Sequence, residues 1–105
     1  MKKNKLPAHV ARTLWSYDLK TVNIKRDKHT IITSALNYGN WESVKWLKKT
    51  YGMRSISNVV KNPDRGVWLK DVLNYWCTML QIKLSETIYK HALRYNGPMA
   101  DGNAL

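Results

Sequence analysis

Proline and glycine divide this chain into short segments, and their positions constrain the fold more than any other feature of the sequence. They punctuate the sequence at Pro7, Gly39, Gly52, Pro63, Gly66, Gly97, Pro98 and Gly102. Several segments between them carry apolar residues at the spacing of an amphipathic α-helix. The longest apolar stretches are interrupted well before the roughly 18 residues that a membrane span needs. The sequence therefore predicts short helices with short connections, and no membrane segment.

The first two predicted helices lie before Gly39. One begins near Pro7, which suits the first turn of a helix. The next follows an Asp27 N-cap and runs to about Tyr38, where Gly39 is placed to end it. Its apolar face is expected to hold Ile31, Ile32, Ala35 and Leu36. Its polar residues are expected on the opposite side, at Thr33, Ser34 and Asn37.

A third helix is predicted over residues 41–51, with Asn40 as its N-cap and Gly52 as its stop. Its apolar stripe is expected to consist of Trp41, Val44, Leu47 and Tyr51. Trp46 falls off this stripe. Either the helix packs on two sides, or Trp46 is partly exposed.

Three further helices complete the prediction, over residues 53–61, 67–80 and 85–95. The second of them has the broadest apolar stripe, and Ser85 is a suitable N-cap for the third. The predicted fold is all-α, a compact single domain of five or six short helices. The predicted boundaries are a basic N-terminal arm at 1–6, a helical domain at 7–96 and a flexible C-terminal tail at 97–105.

Composition bounds the class of protein. Hydrophobic residues make up 44% of the 105 residues and charged residues 24%, which excludes a disordered polycation. The basic N-terminus has no apolar run after it, so no signal peptide is expected. Cys77 is the only cysteine, so the chain forms no internal disulfide. These features predict a cytoplasmic protein.

The residue types that carry catalysis do not form a recognisable pattern. His9, His29 and His91 lie in separate segments, and none has a second ligand at zinc spacing. Cys77 falls within an apolar helical pattern and is expected to be a small buried hydrophobe. Asp18 is the least explained carboxylate, and we expect it to cap a local turn. The sequence predicts no metal, no cofactor and no enzymatic activity.

The remaining signal is a net charge of +11 that is unevenly distributed. It is +6 over residues 1–28, +4 over 29–62 and +1 over 63–105. Such an excess suits phosphate or an acidic protein surface. Because Arg and Asn can bind base edges and Lys can hold phosphate, we predict nucleic-acid contacts on the N-terminal arm and on two helices. The predicted residues are Lys2, Lys3, Lys5, Lys45, Lys49, Arg54, Asn58 and Lys61.

A standard helix-turn-helix does not fit the sequence. With Gly52 as the turn glycine, Lys48 occupies the position of the small residue and Asn58 that of the aliphatic residue. With Gly39 in that role, Lys45 occupies the aliphatic position. A looser helical arrangement stays open.

Several short motifs resemble a family of small all-α bacterial proteins of uncharacterised function. These motifs are Leu14-Trp15-Ser16-Tyr17-Asp18, Ile31-Ile32, Leu36-Asn37-Tyr38-Gly39, Trp41, Trp46-Leu47-Lys48-Lys49-Thr50-Tyr51-Gly52, Asn74-Tyr75-Trp76 and Leu80. Such proteins are often encoded upstream of AbiEii-type nucleotidyltransferase toxins. The resemblance covers about residues 6–82. It implies an antitoxin-like protein that has a cognate nucleotidyltransferase toxin as its partner and that also binds its own promoter. It implies no functional residues, and this chain departs from it in its basicity and its last predicted helix.

The sequence therefore supports three alternative functions. The first is a non-enzymatic, antitoxin-like protein that binds a partner protein and DNA through a basic surface. The second is a protein-interaction module without nucleic-acid binding, with Trp46 as the predicted partner-binding residue and Trp41 or the last helix as other anchors. The third is an RNA-binding helical domain that stacks exposed aromatic side chains on bases. The oligomeric state is left open.

Overall fold

A computed structural model describes residues 6–94 of the chain. These residues form six α-helices and one turn of 3₁₀ helix, with a single isolated β-bridge and no named strand, so the all-α prediction is confirmed. The helices are α1 (Ala8–Ala11), α2 (Lys28–Tyr38), α3 (Trp41–Thr50), α4 (Met53–Lys61), α5 (Lys70–Leu80) and α6 (Glu86–Ala92), and the 3₁₀ turn is Arg12–Leu14. The predicted tail at 97–105, and Lys2, Lys3 and Lys5 of the predicted arm, lie outside the described residues.

The chain divides into two compact units, Met1–Val59 and Val60–Leu105. The first contains α1 to α3 and most of α4, and the second contains α5 and α6. Among residues 6–94, no helix is long and apolar enough to cross a bilayer.

In the first unit, the 3₁₀ turn packs on α2, and α3 packs on both α1 and α2. The predicted apolar face of α2 is buried, and so are the central apolar residues of α3. The buried side chains of these elements include Val10, Leu14, Ile31, Ile32, Ala35, Leu36, Val44 and Leu47. Their burial supplies the main favourable free energy of this unit.

The corner between α2 and α3 is fixed by Ser43. The Asn40 side chain accepts a hydrogen bond from Ser43 N at 3.0 Å and completes a capping box, which confirms Asn40 as the N-cap. Ser43 is fully buried, and its Oγ lies 3.1 Å from His9 Nδ1 and 3.3 Å from the His9 carbonyl oxygen. One hydroxyl therefore joins the start of α3 to α1.

The connection that leads into α2 is built from side-chain caps. Asp18 Oδ1 accepts from Lys20 N at 3.0 Å, so Asp18 caps a local turn as expected. Asp27 occupies the N-cap position of α2, but its carboxylate makes no capping bond to the helix. It accepts instead from Asn23 N at 2.8 Å and from Arg26 Nη2 at 2.7 Å. The hydrogen bond from Arg26, followed by that from Asn23, lowers the pKa of the Asp27 carboxyl group.

The second unit is closed by main-chain pairing around Trp68. Trp68 N donates to the Ala92 carbonyl at 2.8 Å, and Arg94 N donates to the Trp68 carbonyl at 2.8 Å. The Trp68 side chain is fully buried. Because Trp68 pairs in this way, α5 begins at Lys70 and not at residue 67, and α6 ends at Ala92 before the predicted end at residue 95. Ser85 caps α6 as predicted, accepting from Ile88 N at 3.1 Å.

Some predicted exposures were wrong. Thr33 and Asn37 are buried, because α2 packs against both the 3₁₀ turn and α3 and so buries more than one narrow face. Asn37 Nδ2 donates to the Thr33 carbonyl at 2.8 Å within the helix. Trp41, which its spacing placed on the apolar stripe of α3, is exposed as the first residue of that helix.

Candidate nucleic-acid interface on α3

The solvent-facing side of α3 combines three lysines with a tryptophan. Trp41, Lys45, Lys48 and Lys49 are spaced i, i+4, i+7 and i+8, so at about 100° per residue they share one side of the helix. All four are exposed, whereas Ser43, Val44 and Leu47 on the other side are buried. We call Trp41, Lys45, Lys48 and Lys49 the lysine face; it lies entirely within the first unit.

Glu42 is an acidic neighbour of the lysine face. Lys45 Nζ lies 3.5 Å from Glu42 Oε2, and both side chains are largely exposed. Such surface pairs contribute only about 0–1 kcal/mol, so a phosphate group can compete for Lys45. Lys48 and Lys49 lie in the last turn of α3, where positive charge is favourable beside the carbonyl end of the helix. Their positions therefore also stabilise the helix.

The end of α3 is held in place by Tyr51. Its hydroxyl donates to the Ile24 carbonyl at 2.8 Å, and its ring meets Trp46 edge-on at a centroid distance of 5.9 Å. Burial, with a smaller contribution from the Asp27 charge, raises the pKa of Tyr51 to about 12. Trp46, the predicted partner-binding residue, is half-buried in this contact. Trp41, at 61% exposure, is therefore the more accessible of the two tryptophans on α3.

A second exposed group, the aromatic patch, consists of Trp15 and Tyr38. The Trp15 and Tyr38 rings meet at an angle of 69° with their centroids 6.3 Å apart. Trp15 is 67% exposed and Tyr38 is 39% exposed. Arg12 precedes Trp15 by three residues, and side chains at this spacing align along a 3₁₀ turn. Large apolar side chains that stay accessible mark interaction surfaces when they cluster.

The residues of α4 that the sequence predicts to bind nucleic acid lie on the exposed side of the helix. Arg54, Asn58 and Lys61 are exposed, and the opposite side of the helix buries Ile56, Val59 and Val60. Arg54 and Asn58 belong to the first unit, and Lys61 lies just beyond its boundary. Their role in binding stays a prediction.

The sequence prediction named two of the four residues of the lysine face. It named Lys45 and Lys49, which the structure brings together on one helix, but it did not include Lys48. It also assigned Trp41 to the core stripe. The spacing from Trp41 to Lys45 and Lys48 was a usable signal, because i, i+4 and i+7 positions share a face.

The groups considered for metal or nucleophilic chemistry are placed as follows. Within residues 6–94, no three His, Cys, Asp or Glu side chains are grouped to hold a metal ion. Cys77 is half-buried, and burial raises the pKa of its thiol, which disfavours the reactive thiolate. The candidate site on α3 consists of basic and aromatic side chains.

A family model matches a segment in the first part of this chain. Searches of curated proteins and of solved structures each returned no match. Residues 11–60 of this chain match the model of DUF6922, a family of unknown function. The matching segment contains the 3₁₀ turn, α2, α3 and nearly all of α4, so it includes the whole lysine face.

Proposed function

We propose that this chain is a non-enzymatic nucleic-acid-binding protein that holds the phosphate backbone on the lysine face of α3. The observation that carries the proposal is the set of three exposed lysines along one side of a helix whose other side is anchored in the core. The anchored side fixes the position of the helix axis. The lysine side chains can then reach phosphates without rearrangement of the fold.

The surrounding charge supports this ligand. Residues 6–59 contain nine Lys or Arg against three Asp or Glu, and all nine basic side chains are exposed. A positive surface of this kind attracts polyanions over distances comparable to the Debye length, about 10 Å at 0.1 M salt. Each phosphate that a lysine neutralises releases condensed counterions, which makes the binding strongly dependent on salt.

The test compares two variants that lose the same charge. In the first, Lys45, Lys48 and Lys49 are changed to Gln; in the matched control, Lys70, Lys83 and Lys90 of the second unit are changed to Gln. Fluorescence anisotropy with labelled mixed-sequence oligonucleotides is expected to show tight binding by the unchanged protein at low salt. The lysine-face variant should bind more weakly. Its slope of log K against log salt should be less steep by about 3, because each lost phosphate contact reduces the steepness by about 1.

The control variant should keep most of both affinity and slope. Equal weakening of the two variants would mean that total charge, and not the lysine face, determines binding. A lack of binding at low salt would overturn the proposal. Glu42→Gln gives an independent check: it removes the carboxylate beside Lys45 and is expected to tighten binding.

The aromatic patch favours a protein partner as a second candidate function. Trp15 and Tyr38 are accessible and already held against each other, so little side-chain entropy is lost when a partner covers them. An antitoxin-like role with a nucleotidyltransferase toxin as that partner rests on the sequence resemblance. Co-expression with a nucleotidyltransferase encoded next to this chain should give a complex that Trp15→Ala weakens. A neighbouring gene of another kind would remove the basis for this partner.

A further inference from the structure

Trp41 is the side chain of the lysine face that indicates most about its ligand. It is 61% exposed at the first position of α3, although tryptophan usually covers most of its surface in a folded chain. Its backbone is well fixed, because the capping box at Asn40 and Ser43 holds the start of the helix. An accessible indole on a fixed backbone is a platform on which a planar group can stack.

The lysines lie at increasing distances from this platform. A helix rises 1.5 Å per residue, so Lys45 is about 6 Å from Trp41 along the axis, and Lys48 and Lys49 are about 10–12 Å away. The face thus has an aromatic ring at one end and cations along the rest. Proteins that bind single strands combine these same parts, stacking bases on aromatic rings while a basic track follows the backbone.

We propose that the lysine face binds single-stranded nucleic acid, with one base stacked on Trp41 and the adjoining phosphates held by Lys45, Lys48 and Lys49. The inference rests on the proposed function for its ligand class, and it adds the strand state and the stacking residue. A duplex is a poorer ligand for this face, because its bases are already stacked on each other. Separating one base step costs a few kcal/mol.

The face also has the chemistry expected for binding with little dependence on sequence. Each base presents a π-face to an aromatic ring, so stacking tolerates any sequence. The lysine ammonium groups act on phosphates as point charges. Single-stranded RNA and single-stranded DNA share this chemistry, and the experiment includes both.

The test uses two tryptophans of similar exposure, Trp41 at 61% and Trp15 at 67%. Trp41→Ala and the matched control Trp15→Ala are compared in the full chain. The ligands are short labelled RNA and DNA single strands of mixed sequence and the duplex of the same sequence. Stacking on one base is worth about 1–3 kcal/mol, so Trp41→Ala should weaken single-strand binding by about 5- to 150-fold. Its salt slope should not change, because no phosphate contact is lost.

Trp15→Ala should leave single-strand affinity within about two-fold, a change of less than 0.5 kcal/mol. Trp41→Tyr keeps a stacking ring and should restore most of the binding, and circular dichroism checks that each variant is folded. Tighter binding of RNA than DNA, or of DNA than RNA, identifies the preferred strand and supports the proposal in both cases.

The outcomes separate this inference from the proposed function. If Trp41→Ala binds single strands as well as the unchanged protein while the lysine-face variant loses binding, stacking on Trp41 is excluded and phosphate binding stands. Preference for the duplex over both single strands would also overturn the inference. If no oligonucleotide binds, the proposed function itself fails.

Discussion

Gly39 and Gly52 follow helices α2 and α3, and glycine is required at the two positions for different physical reasons. Gly52 follows α3 with φ = 89°, a left-handed conformation that favours glycine, and a Cβ added there would meet nothing within 4 Å. Gly39 follows α2 with φ = −89°, which any residue can adopt. A Cβ at Gly39, however, would lie 2.6 Å from the Ala35 carbonyl oxygen and 2.7 Å from both Cβ and Oγ of Ser43. Gly39 is required for space and Gly52 for conformation.

This difference predicts unequal effects of adding one methyl group. Gly39→Ala should lower the free energy of unfolding by about 3 kcal/mol, the upper part of the range for overpacking, because one clash is with main chain and the other with the buried Ser43. Gly52→Ala should lower it by about 1–2 kcal/mol, the cost of a left-handed conformation with a Cβ. Urea denaturation of both variants measures the two values. The reverse order would show that the α2–α3 corner can open without loss of its packing.

At the scale of elements, the Tyr51 side chain joins the connection 18–27 to the end of α3. Tyr51 lies just beyond the helix and donates to the Ile24 carbonyl at 2.8 Å. The same connection carries Arg26 and Asp27, which form an ion pair at 2.7 Å before α2 begins. The Tyr51 contact therefore helps to fix the end of the lysine face against the rest of the first unit.

Tyr51→Phe should remove this join and lower the free energy of unfolding by about 1 kcal/mol at neutral pH, the usual net value of a hydrogen bond. The pKa of Tyr51 is raised to about 12 in the folded chain, against about 10 when unfolded. The folded state therefore keeps the proton longer, and this contribution is complete below about pH 10 and is lost as the pH rises towards about 12.

Urea denaturation at neutral pH and at about pH 11 should show the two proteins becoming more alike at the higher pH. A difference that stays constant between these pH values would mean that the Tyr51 hydroxyl is not linked to folding.

For the whole molecule, the dominant property is unbalanced charge. The net charge is +11, and in the described part of each unit basic residues outnumber acidic ones, nine to three over residues 6–59 and six to three over 60–94. Ion pairs such as Arg26–Asp27, Lys45–Glu42 and Lys90–Glu86 offset a part of the excess. Like charges in a folded chain repel one another and oppose compaction.

Moderate salt should therefore stabilise this protein. Raising the ionic strength from about 0.01 M to about 0.1 M shortens the Debye length from about 30 to about 10 Å and screens the many distant repulsions more than the few close pairs. The midpoint of thermal unfolding, followed by circular dichroism, should rise over this range. A lower midpoint with salt would mean that the local ion pairs outweigh the repulsion.

How much of this structure was predictable depends on the range of the interactions involved. The N-caps Asn40 and Ser85, the stop at Gly52 and the bounds of α4 followed from the sequence, because a cap and a 3.6-residue period involve only neighbouring residues. The exposed face of α4 followed from the same period. The sequence also named Lys45 and Lys49, two of the four residues of the lysine face, and their role in binding stays a prediction.

The sequence by itself thus determined the fold class, most helix positions and the excess of positive charge. Tertiary structure decided which surfaces of those helices are covered. Thr33 and Asn37 are buried because α2 has neighbours on more than one side, and Trp41 is left accessible at the start of α3. Trp68 shortens two helices by pairing with a segment over twenty residues away. Periodicity shows which residues share a face, but burial depends on what the rest of the chain places against that face.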